Sequence, residues 1–131
     1  MENKANQTVK EILAAASQGL DARSMDALAD AGARVFRIRG DAIDSKDAFL
    51  DAIAGIMGFP DYFGRNWDAL EDCLTDLAWI DAPAVVLVLD RTGRFAQKQP
   101  EAWRVALDVL RSAEAYWAKA GPPAFHFVLF A

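Results

Sequence analysis

An unbroken run of six apolar residues, 84–89, lies between Pro83 and Asp90. Because no position in the run is polar, a strand formed from it must be buried on both faces, which is typical of the middle of a parallel sheet. Parallel strands need long return connections, which are usually helices. The run therefore predicts the central strand of an α/β fold.

Two further segments have strand patterns. Residues 34–39 alternate apolar with basic side chains, which suits a strand covered on one face, and Gly40 with Asp41 predicts the turn that follows. Residues 124–130 are largely apolar and predict a second buried strand. Strands and helices alternate from residue 34 onward, so we expect a small parallel sheet of about three strands packed with helices.

Helical periodicity fills the intervals between these strands. Asp44 or Ser45 is placed to cap one helix, which Gly58 and Pro60 stop, and another helix runs from Pro100 to Gly121. The positions expected to face the core are Phe49, Ile53, Ile56 and Met57 in the first helix, and Trp103, Ala106, Leu107, Leu110 and Trp117 in the second.

The first 32 residues precede the alternating pattern. One short helix is expected between a cap at Thr8 and a stop at Gly19, and residues 24–31 indicate a second before Gly32. We expect an N-terminal helical extension of residues 1–32, packed on a domain of residues 33–131. It would cover a sheet edge or lie against the helix that begins at Pro100.

Charge and cysteine content limit the kinds of partner and compartment. A formal net charge of -5 repels phosphate backbones, so a basic protein is a better match than nucleic acid. Cys73 is the single cysteine, and the first 20 residues lack a long apolar block. We therefore expect a cytoplasmic protein without membrane contact, cofactor or small-molecule substrate.

The acidic charge is concentrated in residues 61–81, which hold six acids and one base, a net of 1 - 6 = -5. Gly64 and Asn66 predict a turn and a helix cap, so a helix begins at Asn66 or Trp67. With about 100° per residue, the acids face away from the core. The apolar side comprises Trp67, Leu70, Cys73, Leu74 and Leu77, the opposite side Asp68, Asp72 and Thr75, and the flanks Glu71 and Asp76.

Like charges four residues apart destabilise a helix by about 0.2–0.5 kcal/mol, so Asp68 and Asp72 do not serve fold stability. They favour the binding of a cationic partner. The alternative interpretation is that this acidic helix face is simply exposed to solvent and binds nothing. Tyr62 and Phe63 precede this helix. Aromatic residues beside a charged face are typical of interface anchors, but Phe63 is expected in the core.

The same segment resembles the barstar family of intracellular ribonuclease inhibitors. The resemblance lies in Tyr-Phe-Gly-x-Asn at residues 62–66, Asp-Ala-Leu at 68–70 and Asp-Cys-Leu-Thr at 72–75, and in the element order of residues 35–130. It implies a barstar-like three-layer fold and an immunity-type inhibitor that plugs a basic ribonuclease with a helix and its preceding loop. The implied partner-facing positions are Tyr62, Asn66, Asp68, Asp72 and Thr75, with Asp72 in place of a substrate phosphate.

Two positions depart from the family pattern. Glu71 stands where barstar has a partner-facing aromatic, and the acid supplied by the later helix falls near Ser112, with Glu114 close by. These departures imply a different target enzyme, or an interaction module whose partner is not a ribonuclease. We include Glu71 and Asp76 in the expected partner-binding surface because both flank the acidic face.

Other functions fit these residues less well. Asp68 and Asp72 could act as acid and base, but an exposed helix face lacks a desolvated cleft, so we expect no enzyme. The acids do not have the spacing of a calcium loop, and Cys73 with His126 cannot form a zinc site, so no metal is expected. Cys73 is predicted as a small buried hydrophobe, and His126 as a core or near-surface histidine.

Overall fold

Three parallel strands form the sheet, in the order β1 (Ala33–Arg39), β2 (Ala84–Asp90) and β3 (Ala124–Leu129). The structure is a computed structural model that describes residues 4–16 and 19–131. The other elements of the described chain are helices and a 3-10 turn at Gly40–Ala42 after β1, joined by loops. They are α1 (Lys4–Ala15), α2 (Ala22–Asp30), α3 (Lys46–Met57), α4 (Trp67–Leu74), α5 (Gly93–Lys98) and α6 (Pro100–Ala120).

Strand β2 is the centre of the sheet, and every one of its residues is buried. This confirms the prediction made from the apolar run. Strand β3 is an edge strand in which Phe125 alone is buried and the other positions are half-buried. The expectation of a second fully buried strand was wrong because one side of β3 has no neighbouring strand.

Both connections between strands run in the same direction across the sheet, so their helices all lie on one face, as the right-handed rule for parallel crossovers requires. Helices α3, α4, α5 and α6 bury their apolar sides there against β1, β2 and β3. Ser45 caps α3 by accepting a hydrogen bond from the Ala48 amide at 3.0 Å, and Gly58 ends it with φ +67°. Both residues had been predicted for these roles.

The buried stripe of α3 differs from the predicted one at two positions. Leu50 is fully buried, whereas Ile56 is 46 % exposed. In α6 the predicted bounds are confirmed. Of the predicted core positions, Trp103 and Leu107 are half-buried, and Ala113, which was not predicted, is buried. Helix α5, which buries Phe95, was not predicted at all.

Helices α1 and α2 cover the opposite face of the sheet and complete a three-layer α/β fold. Val9 and Leu28 are fully buried there against Val86 and Val88 of the central strand. Helix α1 therefore lies over the face of the sheet rather than along its edge. The division into units of residues 1–32 and 33–131 stays a prediction.

The start of the chain corrects two local predictions. Thr8 lies inside α1, where its hydroxyl donates to the Lys4 carbonyl at 3.1 Å, so it does not cap the helix. Helix α1 ends at Ala15, short of the predicted stop at Gly19, and residues 1–3 and 17–18 of the expected extension lie outside the described residues. Within the described ranges, no helix has both the length and the apolar content needed to cross a membrane.

Candidate partner-binding surface

Helix α4 is held by its apolar side, so its acidic side points outward. Leu70, Cys73 and Leu74 are buried in the core beneath it. Its last carbonyl, that of Leu74, accepts a buried hydrogen bond from Trp117 Nε1 of α6 at 2.7 Å. This packing confirms the predicted apolar stripe within the helix and fixes the helix orientation.

The start of α4 is defined by a side-chain cap. Asn66 has extended backbone angles, and its Oδ1 accepts a hydrogen bond from the Ala69 amide at 2.7 Å, as the sequence predicted. The preceding residue, Arg65, adopts the left-handed conformation with φ +54°. These two residues set the angle at which the loop enters α4.

Arg65, the single base of residues 61–81, is paired with a carboxylate outside that segment. Its Nε and Nη2 donate to the two carboxylate oxygens of Asp51 on α3, at 2.8 and 3.0 Å. The pair keeps the guanidinium on α3. Sequence reasoning did not identify Asp51, because the partners are 14 residues apart and meet only through the packing of α3 against the loop.

The acidic surface, defined as Tyr62, Asn66, Asp68, Glu71, Asp72, Thr75 and Asp76, is accessible to a partner. Asp68, Asp72 and Asp76 are exposed, and Glu71 and Thr75 are half-buried. Within the described chain the carboxylates of Asp68 and Asp72 make no ion pair. The Thr75 hydroxyl donates back to the Glu71 carbonyl at 2.8 Å.

Asp76 reaches this surface by a different route from the one expected. Helix α4 ends at Leu74, and Leu77 has a left-handed backbone with φ +52°, so Asp76 and Leu77 do not lie in the helix as predicted. Leu77 is nevertheless buried in the core, as expected. The Tyr62 hydroxyl donates to Asp76 Oδ2 at 3.2 Å. This hydrogen bond joins the preceding loop to the segment after α4.

Desolvation, together with the negative charge of this surface, raises the pKa of two neighbouring groups. Although Tyr62 is 72 % exposed, desolvation of its hydroxyl, its hydrogen bond to Asp76 and the charge of Asp76 raise the pKa of the phenol. Burial, followed by the charges of Asp76 and Asp72, raises the pKa of the Cys73 thiol. Cys73 is therefore a buried, protonated thiol rather than a nucleophile.

Aromatic packing supports the loop that presents Tyr62. Phe59 makes edge-to-face contacts with Phe63 at 5.0 Å and with Trp79 at 5.8 Å between ring centroids. Trp79 Nε1 donates to the Met57 carbonyl at 2.9 Å. Phe63 packs against the main core as predicted, so Tyr62 is the aromatic residue of the pair that faces solvent.

The second part of the expected family interface lies on α6. Ser112 is exposed, while Glu114 Oε2 accepts a hydrogen bond from the Phe127 amide of β3 at 3.3 Å. Burial raises the pKa of Glu114, and the hydrogen bond from Phe127 opposes this effect. His126 is half-buried, with Nε2 at 2.8 Å from Asn6 Oδ1 and Nδ1 at 3.9 Å from Glu114 Oε2. Glu114 is thus engaged with β3.

The architecture and the surface together define a class of protein. It is a small three-layer α/β protein that presents one acidic helix and a supported aromatic loop to solvent. Across the residues that the structure describes, no group of three or more His, Cys, Asp or Glu side chains is placed to hold a metal ion.

Comparison with known proteins identifies the family. The chain belongs to the barstar family, since residues 33–129 match the family model described as Barstar (barnase inhibitor). YrdF of Bacillus subtilis (strain 168), named as a candidate ribonuclease inhibitor, is 39% identical over 51 residues, which are 39% of this chain and 54% of YrdF. The chain thus spans about half the length of this curated relative.

Proposed function

We propose that this chain is an immunity-type inhibitor that binds a basic ribonuclease and occludes its active site with α4 and the loop before it. The observation that carries the proposal is the exposed carboxylate pair Asp68 and Asp72 on a family member's acidic helix. The family description as barnase inhibitor and the name of YrdF support a ribonuclease as the partner. We place its action in the cytoplasm, where the Cys73 thiol would stay reduced.

The proposed mechanism is occlusion without chemistry. A ribonuclease must stabilise phosphate groups, so its active site is lined by cationic and hydrogen-bond-donating side chains. The exposed Asp72 carboxylate matches the central carboxylate of the family pattern and would take the position of a substrate phosphate. Asp68 and Asp76 would pair with cations around it, while Tyr62 and Asn66 make contacts from the loop.

The carboxylates of Asp68 and Asp72 are available for such pairing. Because neither makes an internal ion pair within the described residues, binding a cationic partner breaks no existing salt bridge. Opposite charges about 4 Å apart attract by roughly 4 kcal/mol, before desolvation, at an effective dielectric constant near 20. Several such pairs would offset the repulsion that these acids impose on the free helix.

A second candidate is an interaction module that uses the same surface for a partner other than a ribonuclease. Glu71 favours it, because a half-buried acidic residue replaces the aromatic of the family pattern and changes what this part of the surface can contact. Ser112 also departs from that pattern, since it stands where the family has an acid, and the nearby Glu114 is engaged with β3.

A titration of ribonuclease activity distinguishes the two candidates. Purified basic ribonucleases are assayed on an RNA substrate with increasing amounts of the protein. For the target enzyme we expect activity to reach zero at one equivalent, and association to slow as salt rises, since charges are screened beyond about 8 Å at physiological ionic strength. If every enzyme kept its full activity at all ratios, the proposed inhibitory function would be contradicted, and the interaction module would be the favoured function.

A further inference from the structure

A groove lies on the sheet face that carries α1 and α2, beyond the part of that face that the two helices cover. Along β1 this face presents alternate residues, and Ala33 and Val35 pack beneath the helices. Arg37 and Arg39 follow on the same face, and their side chains are 49% and 66% exposed. With Leu20, Asp90, Arg91 and Phe130 they line an open groove of about 1050 Å³.

The groove stands at the carboxyl ends of the parallel strands. Arg39 pairs in register with Asp90 of β2, and Arg91 and Phe130 come directly after the ends of β2 and β3. The groove therefore brings together residues from the ends of all three strands. The volume of the groove is also sufficient for a small organic ligand.

The strand ends beside the groove are held together by close backbone contacts. The Thr92 amide and hydroxyl both donate to the Phe130 carbonyl, at 3.1 and 3.2 Å. Gly40 lies so close to the end of β2 that a Cβ there would be 2.7 Å from the Arg91 carbonyl oxygen. Arg91 itself has a left-handed backbone with φ +51°, a conformation that persists in a non-glycine residue only where its surroundings impose it.

The charges in the groove leave guanidinium groups incompletely paired. Arg37 Nε donates to the buried Asp90 carboxylate. Arg39 Nη2 donates to Asp41 Oδ2 at 3.0 Å, and Arg91 Nη1 lies 4.0 Å from the same oxygen. Three guanidinium groups therefore share two carboxylates.

The Asp21 carboxylate, which also lines the groove, is committed to another contact. It caps α2 by accepting a hydrogen bond from the Ser24 amide at 2.8 Å. That hydrogen bond lowers the pKa of Asp21. Its negative charge is stabilised mainly by the start of α2, with a smaller contribution from the charge of Arg23.

We propose that this groove binds a small phosphate ester. Its phosphate would accept hydrogen bonds from Arg39 and Arg91, because a phosphate offers three oxygens to guanidinium donors from adjacent strand ends. Its organic part would lie against Leu20 and Phe130. The ligand is small rather than a nucleic acid, because the chain as a whole carries a net charge of -5 and repels a polyanion. The groove shares no residue with the acidic surface.

Calorimetric titration tests the proposal with two probes, inorganic phosphate and a nucleoside monophosphate, at constant ionic strength. We expect saturable binding of both, with the monophosphate binding more tightly because its base and sugar meet the apolar wall. Arg91→Gly should weaken binding at least tenfold, since hydrogen bonds to charged groups contribute about 1.5–3 kcal/mol. Because glycine favours the left-handed conformation at this position, this variant should remain folded.

Arg94→Gln is the matched control, because Arg94 pairs with Asp44 at 3.7 Å and does not line the groove. It should bind both probes like the wild type. Absence of saturable heat, or equal affinity in all three proteins, would overturn the proposal. Ribonuclease inhibition should be unchanged in Arg91→Gly. The calorimetric result therefore tests the groove, and the inhibition assay tests the proposed function independently of it.

Discussion

Replacing Trp117 by Phe removes one buried hydrogen bond that holds α4 in place. The indole Nε1 of Trp117 is 2.7 Å from the Leu74 carbonyl, and Leu74 itself is fully buried. Without the indole, this carbonyl would be left buried and unpaired, which costs about 1–3 kcal/mol. The void left by the smaller ring adds about 1 kcal/mol. We therefore expect a total destabilisation of about 2–4 kcal/mol.

Trp103→Phe is the matched control for this change. It removes the same atoms from the same helix, but Trp103 is half-buried and its indole nitrogen donates no hydrogen bond within the described chain. Urea unfolding of both variants gives the free energy of unfolding at a common slope. Trp117→Phe should be the less stable by at least about 1 kcal/mol. Equal destabilisation of the two variants would refute the argument that this hydrogen bond anchors α4.

Three further changes follow from the same contacts. Gly40→Ala should lower the free energy of unfolding by about 1–3 kcal/mol in urea unfolding, because its Cβ would meet the Arg91 carbonyl oxygen at 2.7 Å. Asn66→Ala and Ser45→Ala each remove a helix cap, and each should lower the free energy of unfolding by about 1 kcal/mol. Only Asn66 belongs to the acidic surface, so binding measurements with a ribonuclease should show weaker affinity for Asn66→Ala alone. Burial raises the pKa of Glu114, so the folded protein retains a proton that the unfolded chain loses. The free energy of unfolding therefore falls as pH rises from the ordinary glutamate pKa to the raised pKa of Glu114 in the folded protein. Urea unfolding at several pH values should show a smaller fall for Glu114→Gln, which has no proton to lose.

Some elements could be predicted because local sequence alone defines them. Strand β2 is recognisable because burial on both faces leaves no polar position in it before its last residue, Asp90. The ends of α3 and α6 are recognisable because Ser45, Gly58 and Pro100 each perform a local backbone role. Helix α5 could not be predicted, because its six residues include just one buried side chain, Phe95.

Other features depend on tertiary packing and are absent from local patterns. Leu50 and Ile56 are both apolar and both close to the helical stripe, and only the position of α3 on the sheet decides that Leu50 is buried. The cap predicted at Thr8 failed because the helix continues four residues further towards the N-terminus.

The acidic surface likewise combines features that local sequence predicts with features that depend on tertiary packing. Asp68 and Asp72 were predicted correctly as outward-facing, since helical spacing alone places them opposite the core. Asp76 was misplaced, because α4 ends before it and the hydrogen bond from Tyr62 sets its position instead. The pairing of Arg65 with Asp51 could not be predicted from local sequence, because it depends on the packing of α3 against the loop.

The most direct test of the proposed inhibitor is the affinity of a target ribonuclease for wild-type protein, Asp72→Ala and Asp26→Ala. Asp26 is exposed on α2, in the opposite layer, so its substitution makes the same change in net charge away from the acidic surface. We predict that Asp72→Ala weakens binding by about 2–5 kcal/mol, or about 30-fold or more, because the enzyme's cations would be left buried and unpaired. Asp26→Ala should bind nearly as tightly as wild type. Equal affinity of all three proteins would contradict the assignment of the inhibitory surface to α4.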